Sequence, residues 1–243
     1  MKTKHSNIVE FEVTGDYGLF SDPILRIGGE KCSYQIPTYE ALKGILSSVY
    51  WKPTFIWRIM DVRIMNPIQT EVKGIRPIKY SGGNDLAFYT YLKNCRYQVR
   101  ACFDWNDNRL DLVQDRNENK HHQIAQRMIE KGGRRDIFLG TRECQGYVEP
   151  CEFGSGTGAY DSLPELSFGL MYHGITYPDE AYSAETQGQM TARFWKPVMK
   201  NGVIHFLQPE ECPYQKPLRS MGMKPFSFEL NNFSGLREFG EVD

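Results

Sequence analysis

Several things are missing from this 243-residue chain, and each absence narrows what it can be. None of its six cysteines forms a Cys-x-x-Cys pair, and Cys144 and Cys151 stand too far apart for half of a zinc knuckle. Neither a structural zinc nor a disulfide framework is expected, and the thiols should be reduced and partly buried. No apolar run approaches the roughly 20 residues that a membrane helix needs. The first residues, Met1-Lys2-Thr3-Lys4-His5, lack the apolar core of a signal peptide. A cytoplasmic protein with no membrane partner is therefore expected. There is no Walker loop and no Gly-x-Ser-x-Gly elbow. Asp104, Asp107, Asp111 and Asp115 lack the glycine and terminal glutamate of an EF-hand and read as loop and capping residues. No metal and no cofactor is expected. A net charge of −1 also shows no overall excess of one sign.

The distribution of charge is less even than its total. Residues 1–147 hold 22 Lys and Arg against 17 Asp and Glu, while residues 148–243 hold 7 against 13. A basic front and an acidic back suit a protein that meets a polyanion through one part only.

Hydrophobic periodicity gives the order of elements. Ile8 to Thr14 alternates apolar and polar residues, as a half-buried strand does, and Gly15 should end it. Asp16 to Gln35, with Pro23, Gly28 and Gly29, reads as a loop. Pro37-Thr38 opens a helix whose stripe is Leu42, Ile45, Leu46 and Val49, and which should stop near Tyr50-Trp51 because Pro53 disfavours a helical Lys52. Phe55 to Met65 and Tyr97 to Trp105 read as strands, with an extended hairpin or irregular excursion over Gln69 to Tyr91 between them. A helix over Asn117 to Lys131 turns Ile124, Ala125, Met128 and Ile129 inward and ends at Gly132-Gly133. Asp136 to Cys144 then reads as a strand.

Strand, helix, strand, strand, helix, strand is the ferredoxin-like or RRM-like order. The predicted class is α+β, with such a domain over 1–147 and a smaller β-rich domain over 148–243. The second part holds β-like pieces at Leu166–Tyr172, Gln189–Phe194 and Gly202–Leu207, which suit a small antiparallel sheet. The tail after Pro213 shows no strong periodicity.

One stretch gathers chemistry: Asp115-Arg116-Asn117-Glu118-Asn119-Lys120-His121-His122. A histidine is the side chain that moves protons near neutral pH. An adjacent lysine supplies fixed positive charge for a pentavalent phosphate. A helix start adds free N–H groups and a partial positive dipole. These parts suit RNA cleavage in which the 2′-OH attacks the neighbouring phosphate. A plainer alternative stands beside this: His121 has helical spacing to Ile124, Ala125 and Met128 and could be a histidine at the core's edge. Tyr50 reads as a packing residue, although both helices of this fold lie on one face of the sheet and could bring it near. Gly132-Gly133-Arg134-Arg135 could hold a phosphate backbone, or be a helix cap and edge strand. Lys73 and Arg76, with Lys79 and the nearby tyrosines, could grip RNA by charge and stacking, or form a solvated hairpin.

The quoted residues carry a resemblance. Gly15-Asp16-Tyr17, Gly28-Gly29-Glu30-Lys31, Pro37-Thr38-Tyr39, Tyr50-Trp51-Lys52-Pro53 and Gly74-Ile75-Arg76-Pro77 are part of it. So are Asp115 through His121, Gly132 through Gly140 and Arg142-Glu143-Cys144-Gln145-Gly146-Tyr147. Over most of residues 8–155 the sequence resembles CRISPR-associated Cas family five, subtype d, of type I-C systems. The resemblance implies a metal-independent endoribonuclease that cuts the repeat stem-loop of precursor CRISPR RNA. It implies that the protein then stays on the 5′ handle of the mature guide and joins the backbone and large subunits of the type I-C Cascade complex. Carried over by position, the family's catalytic groups fall on Tyr50, Lys120 and His121. Lys73, Arg76, Arg116, Arg134 and Arg135 are the expected RNA-binding residues. His121 would be the main acid/base group, Lys120 the phosphorane's stabiliser and Tyr50 an aid to the 2′-OH; His122 has no assigned part. Two other functions stay open: a non-catalytic subunit that only binds the 5′ handle, and an added metal-dependent DNA nuclease activity.

Overall fold

The computed structural model describes residues 6–23 and 29–222. Gly28 of the quoted motif and the tail beyond Gly222 lie outside the described residues. The chain forms β1 (Val9–Gly18), α1 (Tyr39–Val49), β2 (Phe55–Ile64), β3 (Gln69–Ile75), β4 (Ala87–Trp105), α2 (Glu118–Glu130), β5 (Ile137–Phe138) and β6 (Gln145–Pro150). It continues as β7 (Leu166–Ser167), β8 (Met171–Thr176), β9 (Gln189–Trp195), β10 (Val198–Lys200), β11 (Val203–His205) and β12 (Tyr214–Ser220). No helix among the described residues is long and apolar enough to cross a membrane.

The central sheet carries the order β6-β1-β4-β2, with neighbouring strands antiparallel. With α1 after β1 and α2 after β4, that is the ferredoxin-like, RRM-like arrangement. The alternation of β1 explains its place at the centre: Val9, Phe11 and Val13 are buried, while Glu10 and Glu12 face away from the core. The helices cover the apolar face. Thr38 caps α1 by accepting from the Ala41 N–H, and Leu42, Ile45, Leu46 and Val49 form its buried stripe. Each such side chain contributes about 1.5–3 kcal/mol through burial. Tyr50 ends α1 in extended conformation, where the approach to Pro53 forbids another helical turn. Asn117 caps α2 through the Lys120 N–H, and Gly132 and Gly133, both at positive φ, close its other end.

The structure corrects the reading in several places. β1 continues through Gly15 to Gly18, because Gly15 and Tyr17 still pair with Cys95 and Lys93 of β4. The excursion over 69–91 is a hairpin: β3 pairs with the first part of a 19-residue β4, whose last part pairs with β2. Asp136 to Cys144 is not one strand, and the part of it that is β5 lies at the edge of the large sheet beside β6. Only Ile137–Phe138 pairs, Gly140 turns the chain at φ +94, and the last strand of the ferredoxin order is β6.

The expected division at 147/148 falls inside β6. Beyond it, β11 pairs with β2 and brings β10 and β7 into the large sheet, while β8, β9 and β12 form a separate three-stranded sheet. Leu166–Tyr172, read as one piece, is split between the two sheets.

The open face of the large sheet is a lattice of charges. Arg96 pairs with Glu12, Arg100 with Glu10 and Asp61, and Arg58 with Asp104 and Glu210. Arg63 holds Asp161 and the carbonyls of Ser155 and Gly156, so the glycine-rich turn after Phe153 packs onto this face. The topology of an RRM is present, but the chemistry of interest lies at one end of the helical face.

Candidate active site at the shared end of the two helices

α1 runs back along the sheet and ends at Tyr50; α2 begins where β4 leaves the sheet after Trp105. Phe55, which starts β2, pairs in register with Trp105, so these two points share one end of the sheet. Tyr50 and His121 meet there. The Tyr50 hydroxyl lies 2.7 Å from Nδ1 of His121. On the other side of the ring, Nε2 lies 2.7 Å from the backbone oxygen of Asp115. A carbonyl can only accept, so Nε2 carries the proton, and the neutral ring's Nδ1 accepts from the Tyr50 O–H. The tautomer is thereby fixed by the fold.

His121 is 0 % exposed and heads the buried stripe of α2, followed by Ala125 and Ile129. Tyr50, Phe55, Phe103 and Trp105 surround its ring. Tyr50 is 3 % exposed, and its backbone oxygen accepts from the Trp57 indole. Burial, reinforced by the negative charge of Asp115 and partly offset by Arg134, raises the pKa of the Tyr50 phenol. The phenol therefore keeps its proton at neutral pH.

Lys120 meets the same Asp115 from the solvent side, its side chain 48 % exposed and its ammonium 2.5 Å from Asp115 Oδ1. Asp115 also accepts from Thr54 Oγ1 at 2.9 Å through Oδ2, which stands 3.5 Å from His121 Nε2. The Lys120 hydrogen bond, opposed by partial burial and aided by Thr54, holds the Asp115 carboxyl below the usual carboxylate range. Asp115 and Thr54 were not singled out from the sequence as site residues. The available signal was a carboxylate five residues ahead of Lys120, indistinguishable there from a capping aspartate.

The expected RNA-binding residues divide by position. Arg134 and Arg135 are exposed on the turn after α2, and the Arg135 N–H donates to the Ser48 oxygen of α1, pinning this turn to the end that holds Tyr50. Arg116 donates to the Asn106 oxygen and pairs with Asp107, so it braces the loop between β4 and α2. Lys73 and Arg76 lie on the β3–β4 hairpin, which the structure does not bring to the site. From Phe103, beside His121, to Tyr89, opposite Lys73, runs roughly 45 Å of strand at ~3.3 Å per residue. Lys73 sits 3.3 Å over the Tyr17 ring, and Arg76 is exposed beyond the end of β3. His122 donates through Nε2 to the Ile8 oxygen and ties α2 to the start of β1.

Similarities to known proteins agree with this architecture. A protein of Thermus thermophilus described as CRISPR pre-crRNA endoribonuclease Cas5d is 28 % identical over 152 residues, which are 58 % of this chain and 63 % of that protein. One of the same description from Mannheimia succiniciproducens is 35 % identical over 66 residues, 27 % of this chain and 28 % of that protein. The matches thus span less than two thirds of these relatives' own lengths. A crystal structure described as a CRISPR-associated protein superposes with a TM-score of 0.72 at 35 % identity, covering 86 % of this chain and 96 % of that one. A functionally uncharacterized protein of Streptococcus mutans, SMU1763c, gives 0.71 at 38 % identity with the same coverage. The profile of the CRISPR-associated Cas5d family matches residues 8–207, and the chain belongs to that family.

Proposed function

We propose that this protein is an endoribonuclease that cuts the repeat hairpin of precursor CRISPR RNA without a metal ion, then stays on the 5′ handle within the type I-C Cascade complex. The observation that carries the reading is the buried Tyr50–His121 hydrogen bond with the exposed Lys120 ammonium beside it. The names of the two relatives supply the substrate.

His121 has no exposed surface and Tyr50 keeps 3 %, so Tyr50 is the member of the pair that can reach the RNA and His121 acts through it. The 2′-OH of the nucleotide before the cut loses its proton to the Tyr50 oxygen as the phenol proton passes to His121 Nδ1. The 2′ oxygen attacks phosphorus, and the bond to the 5′ oxygen breaks. In-line displacement puts that leaving oxygen opposite the attacking one, so it takes its proton from a different donor, and the Lys120 ammonium is the exposed candidate. The same cation offsets the charge that builds on the phosphorane oxygens. The products are a 5′-OH and a 2′,3′-cyclic phosphate. Arg134 and Arg135, on the adjoining turn, suit the flanking phosphates; Lys73 and Arg76 on the distant hairpin suit RNA beyond the cut.

The test is incubation of the full chain with a labelled repeat in EDTA. Cleavage giving a cyclic phosphate, abolished by 2′-deoxy substitution at the cut, supports the reading; cleavage that survives that substitution overturns the mechanism. A second reading, a subunit that only binds the handle, is favoured by one fact: His121 has both nitrogens satisfied and no exposure, as a purely structural histidine would. RNA that is shifted on a gel and never cut decides for it.

A further inference from the structure

We infer that Asp115 is the positioning residue of this site, holding His121 and Lys120 in working order through one side chain and one carbonyl. The inference rests on the cleavage reading above. The plain alternative is a helix cap, and the geometry speaks against it. α2 is capped by Asn117, whose side-chain oxygen takes the Lys120 N–H. The Asp115 carboxylate is committed instead to side chains: Oδ1 to Lys120 at 2.5 Å and Oδ2 to Thr54 at 2.9 Å.

Its backbone oxygen accepts from both the Asn117 N–H and His121 Nε2. That pair of bonds sets the tautomer that leaves Nδ1 free to receive the phenol proton. Once it is received, the ring is an imidazolium, and its Nε2–H keeps the carbonyl while Oδ2 stands 3.5 Å away with a full negative charge. A carboxylate behind an imidazole both orients the ring and stabilises its charged form. Thr54 keeps this carboxylate from swinging out: it is buried just before β2, and its own backbone oxygen accepts from the Asn106 N–H. The ionised state is secured by Lys120, which holds the carboxyl below its ordinary range. Asp115 has both carboxylate oxygens engaged by neighbouring side chains. It acts through its neighbours, and the loop braced by Arg116 delivers it.

The experiment compares wild type, Asp115→Asn, Asp115→Ala, Thr54→Val and His121→Ala in single-turnover cleavage of the repeat, with binding of a 2′-deoxy repeat measured in parallel. Asp115→Asn should slow cleavage on the order of 100-fold, less than loss of a triad aspartate because the backbone carbonyl still holds the ring. Binding of the 2′-deoxy repeat should not change. Formate should restore part of the rate to Asp115→Ala and none to His121→Ala, a rescue that a merely structural role would not show. Thr54→Val should slow cleavage on the order of 10-fold, the low end of what loss of a hydrogen bond to a charged group costs. This variant decides the matter if Asp115→Asn does not fold. Wild-type cleavage rates in both Asp115→Asn and Thr54→Val, or parallel loss of rate, binding and thermal stability without formate rescue, would overturn the role of Asp115 alone. A wild type that never cuts would remove the cleavage reading itself, and a His121→Ala that cuts normally would remove the Tyr50–His121 relay through which Asp115 acts.

Discussion

The Tyr50 hydroxyl and Nδ1 of His121 lie 2.7 Å apart, although 71 residues separate them in the chain. The bond joins the residue that caps the end of one helix to the first turn of the other. It converts two side chains that could each be packing into a pair able to exchange a proton. Tyr50→Phe keeps the ring and removes that partner. Nδ1 is then buried without a donor, at about 1–3 kcal/mol. Urea unfolding should show that loss, and repeat cleavage should fall to background while repeat binding persists.

His121 and His122 are neighbours with different partners. His122→Ala releases only the Ile8 carbonyl and should cost about 1 kcal/mol, with cleavage retained. His121→Ala empties a site among Phe55, Phe103 and Trp105 and should cost about 2–4 kcal/mol, with cleavage lost. Denaturant midpoints and cleavage rates on the same two samples check this. Activity lost with His122→Ala and kept with His121→Ala would move the proton relay to the neighbouring residue.

The basic residues should separate in their salt dependence. Lys73→Ala and Arg76→Ala should weaken repeat binding and lower the slope of log Kd against log salt by about one per contact, leaving the cleavage rate of saturated RNA unchanged. Arg134→Ala should affect both, because its charge also acts on the Tyr50 phenol. Arg116→Ala should act mainly on stability, since its guanidinium holds Asn106 and Asp107. An Arg116→Ala protein of wild-type stability with a reduced salt slope would place that arginine on the RNA after all.

Acid should loosen the smaller sheet first. His173 is buried between Tyr39, Trp195 and Phe206, donates to the Leu207 oxygen and accepts from Arg193. Burial, then the positive charge of Arg193, lowers its pKa from 6.5 to about 3. Its folded value lies below its unfolded one, so the unfolded chain binds the extra proton. Stability from this residue is complete above pH 6.5 and falls, by up to ~1.4 kcal/mol per pH unit, as pH drops from there towards 3. Melting temperature against pH should fall more steeply in the wild type than in His173→Gln over that window. Parallel slopes would show that another group carries the acid sensitivity.

Much of the fold could be read from periodicity, because helices and half-buried strands announce themselves locally. Leu42, Ile45, Leu46 and Val49 at helical spacing, and Val9, Phe11 and Val13 in alternation, gave α1 and β1 their buried faces. The strand read over 136–144 shows where this fails. Ile137 and Leu139 are buried, but Gly140 turns the chain, and β6 completes the order instead. A single turn residue outweighs a short apolar run. β7 and β8 likewise look continuous in sequence and belong to different sheets, since partner choice depends on contacts made elsewhere in the chain.

What the sequence determined alone was composition, the two helices with their caps, the ferredoxin-like order and the presence of Lys120 and His121 at a helix start. Tertiary structure decided what those groups face. It buried His121 completely, fixed its proton on Nε2 through Asp115, set Tyr50 on its other nitrogen and left Lys120 in solvent. It also carried Lys73 and Arg76 to the far end of a long strand. Residue identity records which donors and acceptors exist. Burial and hydrogen-bond direction, which settle a histidine's tautomer and which group can reach a substrate, arise only when segments distant in sequence pack together.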